Sequence, residues 1–271
     1  MKAFLFFKKI LGYFSQMINV VLLGAGNVGT HLYRAFKNAP LVNVLQWYNR
    51  SIERISSYQN EIAITNNLND LVVADIYLIA VRDGHIASLA KALPFKDRLI
   101  AHTSGSLHFR FLGLNNRRAV FYPLQTFTAA REIDFSQVPI CIESTNKQDI
   151  QTLINLSDAL GCKHYLIDSE QRNIIHLSAV FVNNFTNQLY RIAHEISDAK
   201  NVEFEMLKPL IMETALKAQD MSPYLAQTGP AKRGDKNTIK RHLSLLENPQ
   251  HKAIYQLLTD AIKKTHGNKK L

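Results

Sequence analysis

The segment Ile18-Asn19-Val20-Val21-Leu22-Leu23-Gly24-Ala25-Gly26-Asn27-Val28-Gly29 constrains this chain more than any other. An apolar run of strand length opens directly into G-x-G-x-x-G, and Thr30-His31-Leu32-Tyr33-Arg34-Ala35-Phe36 continues with a helical pattern. Strand, glycines and helix in this order are the setting in which the glycine pattern binds a dinucleotide. Gly24 permits the tight turn, Gly26 lets backbone approach a pyrophosphate, and Gly29 lets the helix pack close to the strand. With Ala25, Asn27 and Val28 they form a turn whose pyrophosphate is expected at the helix N-terminus, where free N–H groups and the dipole favour an anion. The competing reading is a glycine-rich turn in some other α/β protein.

The second strand, Val42 to Tyr48, ends at Asn49-Arg50-Ser51, about 20 residues beyond Gly29, where an NAD-preferring site places an acidic residue for the ribose 2′-hydroxyl. Here an amide, a guanidinium and a hydroxyl stand in that place. Arg50 can stack on adenine and pair with a 2′-phosphate, and Ser51 can donate to the same phosphate or cap the next helix. NADP(H) is therefore the expected cofactor. The plainer alternative leaves Arg50 as a solvated charge and Ser51 as a cap only.

Further strands are predicted at residues 62–64, 75–81, 98–102, 119–122, 138–142 and 163–167, with helices at 51–60, 84–92 (Asp83 as its N-cap) and 147–160. This alternation predicts a doubly wound parallel α/β sheet of the Rossmann type. From Asp168 onward the pattern is helical. Ile174, Leu177, Phe181, Phe185, Leu189, Ile192 and Ile196 recur at three- and four-residue steps, which predicts one long helix with an apolar stripe. Helices follow at 208–219 and 237–247, and one from Pro249 to about Lys264 is opened by the Asn248 cap. The expected organisation is an N-terminal extension (1–16), a dinucleotide-binding domain (17–167) and an all-helical C-terminal domain (168–271) for substrate and dimerisation. The helical stripes are wide enough to bury a partner subunit, so a homodimer is expected.

Ligands of such sheets bind beyond the carboxyl ends of the strands. Val81-Arg82-Asp83, His102-Thr103-Ser104-Gly105-Ser106 and Tyr122-Pro123-Leu124-Gln125-Thr126-Phe127 all follow strands. Val81 and Asp83 are placed along the cofactor, and His102, Ser104 and Gln125 about the substrate. The alternative for Ser104 or Ser106 is a helix cap after a buried strand-end histidine. On the long helix, His176 and Asn183 are seven residues apart, about 700° of α-helix, and so share a face; Asn184 lies about 80° round from His176. His176 is the candidate proton donor or acceptor, with Asn183 or Asn184 orienting the substrate; a packed or capping histidine is the alternative. In Thr228-Gly229-Pro230-Ala231-Lys232-Arg233-Gly234-Asp235, Arg233 can hold a substrate carboxylate, or the segment is an interhelical connector with a local ion pair.

Composition narrows the partners. The 271 residues are 46% hydrophobic and 20% charged, as in soluble globular proteins. The net charge of +10 suits an anionic ligand, but no nucleic-acid motif accompanies it. Cys141 and Cys162 form no metal or redox motif, which points to a reduced cytoplasmic setting and no metal site. Residues 1–16 contain Phe4-Leu5-Phe6-Phe7 interrupted by Lys8-Lys9, too short to span a membrane and unlike a signal peptide. They read as an upstream extension, with a membrane-surface helix as the alternative. No H-E-x-x-H or G-x-S-x-G occurs, so metal hydrolysis and nucleophile-elbow chemistry have no support.

The glycine turn, His102-Thr103-Ser104-Gly105, Pro123-Leu124-Gln125-Thr126-Phe127, the His176 to Asn184 segment, and Thr228-Gly229-Pro230 with Arg233-Gly234-Asp235 together resemble a bacterial family of Rossmann-like proteins with a helical C-terminal domain of unassigned function. The resemblance covers residues 17 to about 264. The family is similar to deazaflavin-dependent NADP oxidoreductases, pyrroline-5-carboxylate reductases, prephenate dehydrogenases and β-hydroxyacid dehydrogenases. The resemblance implies NADP at Gly24, Gly26 and Gly29, often a dimer through the helical domain, and Asn184 as the helix amide of interest, whereas the helical-face argument favours Asn183. The catalytic lysine of the β-hydroxyacid dehydrogenases, with an asparagine four residues later, has no match: this region offers His176, with Val180 four residues on. The expectation is an NADP-dependent oxidoreductase acting on a small carbonyl, imine or hydroxy acid; the alternative is a non-catalytic NADP(H)-binding or sensing protein.

Overall fold

The computed structural model describes residues 17–267; the expectations for residues 1–16 lie outside the described residues. Its described residues divide into two compact units, with the division between Asn183 and Asn184.

The first unit is built on one eight-stranded sheet in the order β3-β2-β1-β4-β5-β6-β7-β8. The strands are β1 (Ile18–Leu23), β2 (Val42–Tyr48), β3 (Ala63–Thr65), β4 (Ile76–Ile79), β5 (Leu99–His102), β6 (Arg117–Pro123), β7 (Ile140–Ser144) and β8 (His164–Leu166). Its helices are α1 (Asn27–Lys37), α2 (Asp83–Ala92), α3 (Lys147–Ala159) and α4 (Ser169–Ala179). Strand periodicity sorts the core onto two faces. Val20 and Leu22 of β1 join Leu32 and Phe36 of α1 and Leu153 and Leu156 of α3. Val21 and Leu23 join Ile86 and Ala90 of α2 on the opposite face. Both faces are covered, which is why the central strands read as continuous apolar runs rather than alternating ones.

The doubly wound sheet and the helical C-terminal region are as the sequence predicts, with four local departures. First, β7 runs antiparallel to β6. The connection between them holds one 3₁₀ turn, Phe135–Gln137, and no crossover helix, and a parallel return needs such a crossover; α3 supplies one between β7 and β8, and that pair is parallel. Second, residues 51–60 make two 3₁₀ turns, Ile52–Arg54 and Ser56–Tyr58, instead of a helix. Ser51 gives no side-chain cap, and Ser56 Oγ donates to Glu53 O, the local competition for backbone groups that weakens serine-rich helices. Third, the long helix is not uniform: α4 runs into a π-helical stretch, Val180–Phe185, before α-helix resumes. Valine and phenylalanine crowd this stretch, and such side chains lose rotamer freedom against a tight α turn. Fourth, Asp83 is the first residue of α2 and not its cap, which falls at Arg82.

Side chains cap two of this unit's helix starts. Asp168 and Gln171 form a reciprocal capping box at α4, and Asn146 caps α3 through Gln148 N–H.

The second unit, from Asn184, is helical: α5 (Thr186–Asp198), α6 (Lys208–Asp220), the short α7 (Pro223–Ala226) and α8 (Pro230–Arg233), α9 (Lys236–Leu245) and α10 (Pro249–His266). Ile192, Ala231, Ile239, Leu246 and the side chain of His251 are buried within it, and His251 Nε2 lies 3.2 Å from Glu195. Half of the segment 228–235, read from sequence as a loop, is α8, bracketed by Gly229 (φ +104°) and Gly234 (φ +70°) in backbone conformations other residues rarely adopt. No helix among the described residues is long and apolar enough to cross a membrane.

Candidate functional site

The order of the strands puts a topological switch point between β1 and β4, where doubly wound sheets bind their ligands. The glycine turn sits there under tight steric control. Gly24 has φ +116°, and a Cβ on it would lie 2.5 Å from Ala80 O and 2.7 Å from Val81 Cγ1. A Cβ on Gly29 would strike the Gly24 carbonyl. Both clashes are with backbone, so neither position accepts a side chain without moving the turn. Trp47 of β2 and Asn49 just beyond it brace the turn: buried Trp47 donates from Nε1 to Gly24 O at 2.9 Å, and Ala25 N–H donates to Asn49 Oδ1 at 3.1 Å. Asn49 also donates to Ser51 O at 2.7 Å. Its amide is therefore spent on holding the turn against the end of β2.

The turn delivers an open helix N-terminus. Gly26 caps α1 with extended backbone and no side-chain bond, and the first turn contains no acidic residue. The N–H groups of Asn27 and Val28 have no intrahelical acceptor. Arg50 and Ser51 lie exposed just beyond β2. This donor set, with a cradle that tolerates no Cβ, fits a dinucleotide pyrophosphate. Asn27 Nδ2 donates to Phe127 O at 2.9 Å, and His31 Nε2 meets Thr128 O at 3.0 Å, which fastens the loop after β6 against α1. In that loop Gln125 is exposed and accepts from Thr126 N–H.

The ends of β4 and β5 are tied by one carboxylate. Asp83 Oδ2 accepts from Ser104 Oγ at 2.9 Å and from Ser106 Oγ at 2.6 Å. Ser104 Oγ in turn accepts the N–H groups of Ser106 and Leu107. Ser104 thus caps a turn rather than a helix, and Asp83 fixes the 104–107 loop. His102 is fully buried and accepts from Ser104 N–H at Nδ1. Burial pushes its pKa down to about 3, helped by the Arg172 charge and opposed by Asp83. It is a neutral imidazole at pH 7, and its Nε2 has no partner among the described residues.

The inner face of α4 closes this end of the sheet. Arg172 is fully buried, pairs with Glu143 of β7 and donates to Leu107 O and, at 3.1 Å, to Ser169 Oγ. Ser169 Oγ donates to the same Glu143 carboxylate at 2.7 Å. One turn later on α4 stands half-buried His176. Its Nδ1 is 3.1 Å from Tyr122 Oη of β6, with the rings edge to face. A Cβ on Gly105 would lie 2.5 Å from that nitrogen and 2.7 Å from Tyr122 Cζ.

Among the residues expected from sequence, the structure brings Gly24, Ala25, Gly29 and Asn49 into one turn, and Asp83 and Ser104 into one hydrogen-bonded cluster. His176 packs beside Gly105, the residue after Ser104. Asn183 follows in the π-helical stretch, whose wider turns break the 100° step on which its alignment with His176 relied. Asn184 and Arg233 belong to the second unit, where both are exposed. There Asp235 caps α9 by accepting from Thr238 N–H at 3.0 Å, so the 228–235 segment is organised by that cap. Sequence reasoning placed Tyr122 and Gly105 in strand-end segments without giving either a role of its own, and passed over Arg172 and Trp47. Tyr122 had a signal: it alternates with Phe121 on a strand, facing away from the apolar face that Phe121 joins. Arg172 had one too, a charge one helical turn before a candidate histidine. Among the described residues no group of histidines, cysteines and carboxylates is placed to hold a metal ion.

Comparisons with known proteins agree with this architecture. Residues 138–262 match a domain of unknown function (DUF2520). A proposed NADP oxidoreductase from Bacteroides fragilis is 35% identical, with 92% of this chain and 99% of that chain aligned at a TM-score of 0.84. A 1-pyrroline-5-carboxylate reductase from Streptococcus pyogenes shares the fold at 14% identity, with 92% and 97% of the two chains aligned and a TM-score of 0.64. So does a reductive aminase from Aspergillus terreus, solved with NADPH and ethyl levulinate, at 12% identity, 93% and 96% coverage and a TM-score of 0.67. No curated protein matches significantly. The fold is thus the general one of NADP-dependent oxidoreductases, and the chain belongs to the family of Rossmann-like proteins that carry the DUF2520 domain.

Proposed function

We propose that the chain is an NADP(H)-dependent oxidoreductase that reduces a small carbonyl or imine, or oxidises the corresponding hydroxy acid. The observation that carries this reading is the glycine turn: a backbone cradle closed to any Cβ at Gly24 and Gly29, opening onto an uncapped, acid-free helix N-terminus. Gly26, Asn27 and Val28 hold the diphosphate through backbone N–H groups. Arg50 and Ser51 take the 2′-phosphate, and the absence of an acidic side chain at the end of β2 removes the repulsion that would exclude it. Val81 and Asp83 follow the cofactor toward the ends of β4 and β5. The bound nicotinamide would supply or accept the hydride.

The chain's own groups then have distinct tasks. His176 holds or takes the proton at the substrate oxygen or nitrogen, a role for which an imidazole offers both a donor and an acceptor nitrogen. Asn183 orients the substrate, and Ser104 and Gln125 bind it. His102, neutral and buried, braces the Ser104 backbone and contributes hydrogen-bonding capacity without charge. We further propose a homodimer through the helical part. No residue of α6 is buried, yet Leu210 is 61%, Met212 62% and Leu216 46% exposed; large apolar side chains left exposed around a helix in this way mark an association surface.

Turnover of NADPH against a panel of small ketoacids, imines and aldehydes tests the reading. The expected result is oxidation of NADPH with at least one member, lost by a factor of about 10² or more in His176→Gln. NADPH binding with no turnover on any member would favour the non-catalytic alternative. Arg50→Asp should reduce the preference for NADPH over NADH at least about ten-fold; an unchanged ratio would refute the 2′-phosphate assignment.

A further inference from the structure

We propose that Tyr122 is the positioning residue of His176: its hydroxyl engages Nδ1 and leaves Nε2 as the ring nitrogen that meets the substrate. The proposal rests on the reading of His176 as the acid/base group. Three observations carry it. Tyr122 Oη lies 3.1 Å from Nδ1 across an edge-to-face ring contact. Gly105, buried against both rings, leaves no room for a Cβ beside either. Tyr122 itself is buried at the end of β6, against Val120 and Cys141. A packed tyrosine and histidine need neither a hydroxyl aimed at a ring nitrogen nor a glycine at the point of contact.

The chemistry of a phenol suits the task. Burial pushes the Tyr122 pKa up to about 12, with the nearby Asp83 and Arg172 charges acting in opposite directions, so the hydroxyl keeps its proton throughout the neutral range. With the ring neutral, the phenol donates to Nδ1. The alternative orientation would leave the Tyr122 O–H without His176 as its acceptor. With the ring charged, both nitrogens carry protons, and the phenol oxygen accepts from Nδ1–H. Bound reduced nicotinamide would supply the hydride; as the C=O or C=N π pair moves to the heteroatom, that atom would take the Nε2 proton of the charged ring. The ring is left neutral with its proton on Nδ1, bonded to the Tyr122 oxygen; solvent returns a proton to Nε2, and loss of the Nδ1 proton restores the resting tautomer in which Tyr122 donates. A carboxylate in the place of Tyr122 could accept but never donate, and so could not accompany both states.

The test uses the full chain labelled with ¹⁵N-histidine. Long-range ¹H–¹⁵N spectra of the neutral ring report which nitrogen bears the proton and whether the other accepts a hydrogen bond; His176→Gln identifies the His176 signals. In the wild type Nδ1 should resonate as a hydrogen-bonded acceptor. In Tyr122→Phe it should move to the position of a free acceptor. Gly105→Ala keeps the hydroxyl but wedges the rings apart, and should produce the same displacement. On any substrate the wild type reduces, Tyr122→Phe should lose about ten-fold or more in kcat, with KM for NADPH changed less than about two-fold. An unchanged His176 spectrum in Tyr122→Phe overturns the pairing. A displaced spectrum alongside full turnover in His176→Gln overturns the acid/base reading beneath it, and with it any catalytic use of the pairing.

Discussion

His102 makes the stability of the sheet depend on pH in a calculable way. The side chain is fully buried with Nδ1 committed to Ser104 N–H, and its folded pKa is held down to about 3 against an ordinary value of 6.5. A base whose folded pKa is depressed binds fewer protons folded than unfolded between the two values, so stability falls as pH drops below 6.5 and stops falling near 3. Between pH 7 and pH 5 the unfolded imidazole becomes almost fully charged while the folded one stays neutral. That difference amounts to about 2 kcal/mol, from roughly 1.5 pH units at about 1.4 kcal/mol each. Trp47, the sole tryptophan, is fully buried in the same unit, and its fluorescence follows denaturant unfolding there. The wild type should lose about 2 kcal/mol more than His102→Asn over this interval. Equal pH dependence in the two proteins would refute the argument that desolvation keeps His102 neutral.

Three further outcomes follow from the geometry. Gly29→Ala drives a Cβ into the Gly24 carbonyl; it should cost about 1–3 kcal/mol in denaturant melts and abolish NADPH-induced stabilisation. Arg172→Leu strands the Glu143 carboxylate and the Leu107 carbonyl that the guanidinium serves; a loss of about 3–5 kcal/mol is expected, and a loss below about 1 kcal/mol would show that the cluster is dispensable. Sedimentation analysis should give a dimer that Leu210→Lys with Met212→Lys converts to monomer, whereas a wild-type monomer would refute the association surface.

Much of this architecture was legible in the residues because local chemistry and tertiary packing agree. The glycine turn, the Asn248-Pro249 helix start and the apolar central strands each carry a mechanism that survives folding. The departures occur where a long-range constraint decides. The direction of β7 depends on whether a crossover helix forms between residues 124 and 139, which side-chain periodicity in β7 itself does not reveal. The π-helical stretch at 180–185 keeps an α-like apolar pattern, so the Asn183 alignment looked sound from spacing alone. Asp83 resembled a cap by residue type, but its carboxylate is drawn to two serines about twenty residues on. The signals at Tyr122 and Arg172 were weak for the same reason: each acquires its meaning from a partner on another element, His176 in one case and Glu143 in the other.

Calorimetric titration of the purified chain with NADPH and with NADH tests the central claim most directly. Saturable one-to-one binding of NADPH, tighter than NADH and abolished by Gly29→Ala, is the predicted result. No heat and no thermal stabilisation by either coenzyme at millimolar excess would contradict the account from the glycine turn onward.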